Sequence, residues 1–341
     1  MKKTMISLAA TALIFSACSN NEEDPDGNNV NNDNSNNQAA NENETDYENG
    51  TDNNAETAAD DFPVTITDDS GRDITLEEEP ETLASLLPST TEILFAIDAG
   101  DGLIGRSQND NYPMEELEDI DIIGGMEIDA EMIISLEPDL LFIQDYHFFE
   151  YEDMLAEFEE AGIQYLVIEG IESFEATYDS IELIGEAVGR IDEATALTSE
   201  MQEEVAKLRE QAEAVSEEDR QLVWTEVSPS PDIFTTGTGT FFHEMLEIIN
   251  ADNAAADHDG WVQLSEEEMV ALTPDVIITT YGYYVEDAFD EVAERDGWQD
   301  IPAVENGEIH DIDNDTVSRP GPRLVEGVRQ LGELIYPDVF N

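Results

Sequence analysis

Residues 192–215 read DEATALTSEMQEEVAKLREQAEAV, and this stretch decides how the rest of the chain is organised. Its apolar side chains recur at spacings of three and four, which is typical of one buried stripe along an α-helix. They are Leu197, Met201, Val205, Leu208, Ala212 and Val215. No Gly or Pro interrupts the run. At about 1.5 Å per residue the stretch predicts a rod of about 36 Å, which is long for a helix inside one domain.

Similar sequence lies on both sides of this predicted helix. EMIISLEPDLL at residues 131–141 matches EEMVALTPDVI at residues 267–277. Aligning Pro138 with Pro274 pairs Glu131 with Glu267. A short helix that runs into a buried strand therefore occurs once in each half. This internal repeat predicts two similar lobes that face each other across a cleft, which is an architecture suited to binding.

The first residues are typical of an exported lipoprotein. Residues 1–17 combine two lysines, an apolar run too short to span a bilayer and small residues before Cys18, and so predict a signal peptide. Cys18 is the single cysteine of the chain, so no disulfide framework exists, and its position resembles a lipidated bacterial lipobox. Residues 18–61 are rich in Asn, Asp, Glu and Gly, and predict a disordered acidic linker.

The remainder is long enough for two domains, and its strands and helices alternate, which predicts an α/β fold with largely parallel sheets. We predict an N-terminal lobe over residues 62–190, a linking helix over 191–217 and a C-terminal lobe over 218–341. A hairpin is expected at residues 64–76, and Ser89 with Glu92 forms a predicted capping box at the start of a helix. Such a strand-to-helix turn at the carboxyl edge of a sheet usually faces a ligand.

The formal net charge of −71 becomes −73 when the two lysines of the signal peptide are removed. A surface this acidic excludes nucleic acid and anionic surfaces as main partners, because both require basic patches. The acidic residues cover every predicted helix rather than one site. We therefore attribute them to the environment and predict an organism that lives in salt, where the charges are screened.

No catalytic pattern stands out, and the chain is not expected to be an enzyme. Neither a G-x-S-x-G elbow nor an H-E-x-x-H motif is present, and no cysteine is left to act as a nucleophile. The four histidines lie far apart and are expected on the surface or in loops. They are His147, His243, His258 and His310. A secreted enzyme remains a minor alternative.

From residue 63 to the end, the chain resembles the substrate-binding proteins of ABC importers, in the class that carries cobalamin, iron-siderophores and haem. The segments ASLLPSTTEILFA at residues 84–96 and 131–141 are typical of the whole class. SRPGPRLV at residues 318–325 and the loop that ends in Asn111, Tyr112 and Pro113 look most like the cobalamin-binding branch. The resemblance implies two Rossmann-like α/β lobes joined by one long backbone helix, with the ligand cleft between them.

The same resemblance implies which residues meet the ligand, and an aromatic wall such as Trp261 suits a flat corrin ring. The expected ligand-binding residues are Pro88, Ser89, Arg106, Asn109, Tyr112, Gly124, Met126, Gln144, Tyr146, Trp261, Tyr281, Asp315 and Arg319. Cobalamin or a related corrinoid is the expected ligand, because few basic residues are available for an anionic ferric siderophore. A siderophore remains an alternative, as does haem, for which Met126 and Tyr281 or Tyr283 are candidate axial ligands. No resident cofactor or metal is expected.

The resemblance also implies partners. One glutamate on the outer edge of each lobe meets arginines of the permease dimer in this family, and the internal repeat places Glu131 and Glu267 at equivalent positions for that contact. The expected assembly is a monomer, lipid-anchored on the outer face of the cell membrane, that docks on an ABC permease dimer with its ATPase subunits.

Overall fold

The computed structural model describes residues 62–341. The predicted signal peptide, the lipidation site Cys18 and the acidic linker lie outside the described residues. Within residues 62–341, no helix has both the length and the apolar character that a membrane crossing requires.

A β-hairpin opens the described chain and confirms the hairpin prediction. Strand β1 (Val64–Thr67) pairs antiparallel with β2 (Asp73–Leu76). The buried carboxylate of Asp68 shapes the turn, because it accepts hydrogen bonds from the backbone N–H groups of Ser70 and Arg72 and pairs with the Arg72 guanidinium at 3.0 Å. Apolar side chains on one face of the hairpin join the main hydrophobic core.

The first lobe is built on a five-stranded parallel sheet in the order β5-β4-β3-β6-β7. Its strands are β3 (Leu83–Ser85), β4 (Leu103–Ser107), β5 (Asp121–Gly124), β6 (Leu140–Gln144) and β7 (Gln164–Ile168). Its helices are α1 (Pro88–Ala96), α2 (Ala130–Leu136), α3 (Asp145–Glu150), α4 (Glu152–Ala161) and α5 (Phe174–Ala187). Strands β3 and β6 are buried almost throughout, as expected for parallel strands covered on both faces.

A single long helix, α6 (Ile191–Ala212), follows the first lobe and confirms the rod predicted from the apolar stripe. Its buried face carries Met201, Val205 and Leu208 at the predicted spacing. Each fully buried side chain of this kind contributes about 1.5–3 kcal/mol. Helix α6 packs on α5 before it and on helices of the second lobe after it, so one hydrophobic cluster runs through both lobes.

The second lobe repeats the plan around a four-stranded parallel sheet in the order β10-β8-β12-β13, with a separate β9–β11 pair beside it. Its strands are β8 (Leu222–Glu226), β9 (Phe234–Thr236), β10 (Asp252–Asn253), β11 (Trp261–Gln263), β12 (Val276–Thr279) and β13 (Ile309–Asp311). Its helices are α7 (Phe241–Ile248), α8 (Glu266–Leu272), α9 (Ala288–Ala293), α10 (Pro302–Asn306), α11 (Asn314–Ser318), α12 (Leu324–Ile335) and α13 (Pro337–Phe340). The chain is therefore α/β with two lobes, as predicted.

The sequence repeat has a structural counterpart in the two lobes. Helices α2 and α8 both end on a residue in the left-handed conformation, Glu137 with φ 50° and Thr273 with φ 51°. The aspartate two residues later then holds the neighbouring strand of each sheet. Asp139 Oδ2 accepts the N–H of Thr82 at 2.9 Å, and Asp275 Oδ2 accepts the N–H of Leu222 at 3.0 Å.

Candidate functional site

A cavity of about 340 Å³ lies at the carboxyl edge of the first sheet, where the chain after α11 of the second lobe closes it. Most of the lining comes from turns that follow β3, β4, β5, β6 and β7, which meet at one edge because the strands are parallel. The lining residues are Leu86, Leu87, Pro88, Ser89, Asn109, Gly125, Met126, Gln144, His147, Ile168, Glu169, Gly170, Ile171, Glu172, Ser318, Arg319 and Pro320.

The start of α1 points into this cavity without a side-chain cap. Leu87 is the N-cap residue and Pro88 is the first helical residue, which suits proline because its missing N–H has no intrahelical partner to lose. The predicted capping box of Ser89 and Glu92 is therefore wrong, since both residues lie inside the helix. The first-turn N–H groups that no side chain caps remain available to a ligand acceptor.

Glu92 instead joins the two lobes. Its side chain is 2% exposed, and it accepts hydrogen bonds from Arg319 Nη1 at 2.9 Å and from Arg323 Nη2 at 2.7 Å. Asp315 pairs with Arg319 at 2.9 Å, and Arg323 stacks over the ring of Tyr112 with its guanidinium carbon 4.5 Å from the centroid. Two arginines of the second lobe are thus neutralised by carboxylates and held against the first lobe.

The loop after β4 is held by a buried aspartate. Asp110 Oδ2 accepts from the Thr91 hydroxyl at 2.8 Å and from the Ser107 N–H at 3.2 Å, and its other oxygen has no partner in the described residues. Burial raises the pKa of Asp110 from 3.8 to about 6, although these hydrogen bonds and nearby arginines act in the opposite direction. The adjacent Asn109 and Asn111 bind Arg319 through a backbone and a side-chain oxygen.

His147 fixes the opposite wall of the cavity. It is buried, so the expectation of a surface or loop histidine is wrong for this residue. Its Nδ1 accepts the N–H of Gln144 at 3.1 Å, and its Nε2 lies 2.8 Å from the Gly125 carbonyl, to which it donates. Burial lowers the His147 pKa, and the neutral ring fits this pattern of one acceptor and one donor. The segment that carries His147 is helix α3.

Trp261 and Glu172 form a hydrogen-bonded contact between the two lobes. The indole Nε1–H of Trp261, on β11 of the second lobe, points between the two carboxylate oxygens of Glu172, each 3.1 Å away. Glu172 lines the cavity, whereas Trp261 lies outside the lining and is 43% exposed. This pair is called the cross-cleft bridge below.

The expected ligand-binding residues divide into three groups. Six line the cavity, namely Pro88, Ser89, Asn109, Met126, Gln144 and Arg319. Another six lie in segments bordering it but are not part of its lining, namely Arg106, Tyr112, Gly124, Tyr146, Trp261 and Asp315. Arg106 is occupied with the backbone carbonyls of Ser107 and Leu117 and so shapes the loop rather than the cavity.

Tyr281 forms the third group, because the expectation that it faces the cleft is wrong. Its side chain is fully buried, and its hydroxyl donates to Glu226 at 2.6 Å inside a cluster with Glu291 and Arg295. Burial, followed by the charge of Glu226, raises the Tyr281 pKa. The cluster ties α9 to the end of β8 and leaves Tyr281 no free hydroxyl for a ligand.

Sequence reasoning missed the segment 168–172 and His147. The segment follows β7, an edge strand, and its position after a parallel strand was the signal that placed it at the carboxyl edge. The sequence did not indicate burial of His147, because its Nε2 binds the Gly125 carbonyl, which lies 22 residues earlier in another turn.

Glu131 and Glu267 occupy equivalent places in the two lobes. Each lies in the first turn of a seven-residue helix, α2 or α8, and each is exposed. Within the described residues neither side chain forms a salt bridge. Both carboxylates are therefore available to a cationic partner.

Comparisons with known proteins agree with this architecture. The family model described as periplasmic binding protein matches residues 83–316, which is more than half of the chain. An uncharacterized ABC transporter substrate-binding lipoprotein of Bacillus subtilis is 43% identical over 280 residues, covering 82% of this chain and 88% of that protein. A cobalamin-binding protein of Halobacterium salinarum is 28% identical over 284 residues, covering 81% of this chain and 74% of that protein.

A solved structure of similar fold is that of a possible iron-binding, periplasmic solute-binding protein from Staphylococcus epidermidis. It is 33% identical, with a TM-score of 0.68, and the match covers 76% of this chain and all of that one. The two lobes, the cavity between them and these matches together show that the chain belongs to the periplasmic binding protein family, as a substrate-binding protein of an ABC transporter and not an enzyme.

Proposed function

We propose that the protein captures cobalamin or a related corrinoid outside the cell and delivers it to an ABC importer. The observation that carries this proposal is the charge balance of the cavity. Of the lining residues that the structure describes, Arg319 is the only permanent cation, and Glu92 and Asp315 already neutralise it. Glu169 and Glu172 add two carboxylates.

This balance favours a ligand that is neutral and rich in N–H donors. The carboxamides around a corrin ring donate to carboxylates and accept from the uncapped N–H groups at the start of α1. Apolar lining from Leu86, Leu87 and Ile171 suits the flat face of the ring. The cobalamin-binding relative from Halobacterium salinarum supports the same ligand class.

A ferric siderophore is the second candidate, because the Staphylococcus epidermidis relative is described as possibly iron-binding. Anionic ferric complexes would meet two carboxylates and no free cation in this cavity, so we rank them below a corrinoid.

Haem is less favoured for a different reason. A haem site uses an axial His, Met or Tyr. Both ring nitrogens of His147 are occupied by backbone groups, and the Tyr281 hydroxyl is bound in the core. Met126 lines the cavity, but of the two tyrosines proposed to oppose it, Tyr281 is buried in the core and Tyr283 is exposed and does not line the cavity.

Delivery to the importer is proposed to use the lipid anchor and the docking glutamates of the two lobes. Lipidation at Cys18 anchors the chain to the outer face of the membrane, and the acidic linker holds the lobes away from it. Glu131 and Glu267 then dock the two lobes on arginines of the permease dimer. The organism is proposed to live in salt, where a charge of −73 on the mature chain is screened.

Isothermal titration calorimetry in about molar NaCl tests the ligand proposal. Cyanocobalamin is expected to bind at one site, whereas an anionic ferric siderophore and haemin are expected to bind at least tenfold more weakly. Saturable binding of the siderophore alone would overturn the proposal.

Gly170 offers a matched pair of variants for locating the site. A Cβ at this position meets no atom within 4 Å, so Gly170→Ala is expected to fold and bind normally. Gly170→Leu adds a bulky side chain to the cavity wall and is expected to weaken binding while the melting temperature stays close to that of wild type. Undiminished binding by Gly170→Leu would place the ligand elsewhere.

A further inference from the structure

Glu172 is the hydrogen-bond acceptor in the cross-cleft bridge. Both of its oxygens lie 3.1 Å from Nε1 of Trp261, so one N–H donor is shared between two acceptors. A carboxylate has about four acceptor positions. Glu172 is exposed, so its remaining acceptor positions face solvent and are accessible to a ligand.

No cation within the described residues neutralises Glu172, because none of the salt bridges between residues 62 and 341 includes it. This distinguishes Glu172 from Glu92, whose charge is shared by two arginines. Glu169, three residues earlier, also lines the cavity without a salt bridge. The wall after β7 is thus an acceptor surface that carries negative charge.

The cross-cleft bridge connects the cavity lining to the second lobe through Glu172. A corrin ring with its side chains is larger than a cavity of about 340 Å³, so a bound corrinoid extends beyond the lining, and we expect it to displace Trp261 from Glu172. Opening the bridge leaves the Glu172 carboxylate without its N–H donor. A ligand that covers Glu172 also removes it from water, so a ligand that donates to the carboxylate compensates the loss, whereas one that cannot donate leaves it buried and unpaired.

We propose that Glu172 is a specificity-determining residue. On binding, it exchanges the indole N–H of Trp261 for N–H donors of a peripheral carboxamide of the ligand. It therefore rejects corrinoids that carry a free carboxylate in place of that carboxamide. This inference rests on the proposed corrinoid function and adds the selection of fully amidated ligands to it. A carboxylate in place of the amide has no N–H to donate, and it carries the same charge as Glu172 and as Glu169, which also lines the cavity. Sites that bind a donor group reject the analogue lacking it far more strongly than sites that only fit its shape.

Matched ligands and variants test this proposal. The ligands are cyanocobalamin and its monocarboxylic acids, in each of which one peripheral carboxamide has been hydrolysed. Wild type is expected to bind at least one of these acids about tenfold or more weakly than cyanocobalamin. Glu172→Gln, whose amide both donates and accepts, is expected to bring the two dissociation constants within about threefold of each other.

Glu175→Gln is the control, because Glu175 is exposed in the first turn of α5 but does not line the cavity. It is expected to discriminate between cyanocobalamin and its acids like wild type.

Because the lost N–H donor acts at short range, part of this discrimination by wild type is expected to persist in molar salt.

The possible failures are distinguishable. If wild type binds cyanocobalamin and all of its acids within twofold of each other, the role of Glu172 is refuted and the corrinoid function stands. If discrimination exists but Glu172→Gln retains it in full, another residue is responsible and the role of Glu172 is again refuted. If cyanocobalamin itself does not bind, the proposed function fails, and this inference fails with it.

Discussion

Glu92→Gln is the substitution that most directly tests how the two lobes are held at the cavity. It keeps the shape of the side chain and removes the charge that Arg319 and Arg323 share. The two guanidinium side chains are 16% and 15% exposed, so both remain largely buried after the change. Arg319 keeps Asp315 at 2.9 Å, whereas Arg323 keeps that carboxylate only at 4.0 Å.

The expected magnitude follows from this asymmetry. Removing one partner of a buried ion pair typically costs about 3–5 kcal/mol, because the other charge stays buried. Since Asp315 compensates one of the two arginines, we expect a loss of about 2–3 kcal/mol in the free energy of unfolding. Ligand affinity is expected to fall as well, because Arg319, which holds Asn109 and Asn111 beside the cavity, loses one of its two charged partners.

Equilibrium unfolding in urea at about molar NaCl measures the effect, since urea leaves the ionic strength unchanged. The midpoint is expected to fall by about 1 M. Glu204→Gln is the matched control, because Glu204 also pairs with two cations, Lys207 and Arg329, but on the exposed surface of α6. The reasoning is refuted if Glu92→Gln moves the midpoint by less than about 0.2 M, or if the control moves it as far.

Four further outcomes are expected. Asp110→Asn should stabilise the protein above pH 6 by up to about 3 kcal/mol and lose that advantage towards pH 4, because the raised pKa of Asp110 makes wild type less stable as pH rises between these values. The urea midpoints of both proteins across this pH range measure the effect, and a difference between them that does not change with pH would contradict it. Trp261→Phe should remove most of the change in tryptophan fluorescence on ligand binding, because the other two tryptophans are buried; a full response in the variant would contradict the cleft position of Trp261. The melting temperature should rise between dilute buffer and about molar NaCl as repulsion is screened, and an unchanged value would remove the argument for a saline habitat. Glu131→Ala with Glu267→Ala should leave ligand affinity unchanged and abolish stimulation of the transporter ATPase, whereas Glu203→Ala on α6 should affect neither; normal stimulation by the double variant would refute the docking role.

The sequence predicted the elements whose periodicity or repetition is local. The apolar stripe of α6 and the alternation in the hairpin follow from spacing alone, and the structure reproduces both. The repeat around Pro138 and Pro274 predicted two lobes because it encodes the same helix, left-handed end and strand twice.

Partners that are distant in sequence limited what the sequence could predict at the site. Ser89 and Glu92 have the spacing of a capping box, but Glu92 binds arginines more than 200 residues away. Tyr281 follows a strand at the expected edge, yet a buried ion pair of Glu226 and Arg295 turns its hydroxyl into the core. Local spacing contains no information about such contacts, which only the packing of the second lobe determines.

Competition between the three candidate ligands for the protein tests the central claim most directly. The protein is dialysed in about molar NaCl against equal concentrations of cyanocobalamin, an anionic ferric catecholate siderophore and haemin, and the retained cobalt and iron are measured by elemental analysis. The corrinoid account predicts about one cobalt and almost no iron per protein chain. Retention of iron with little cobalt would contradict it.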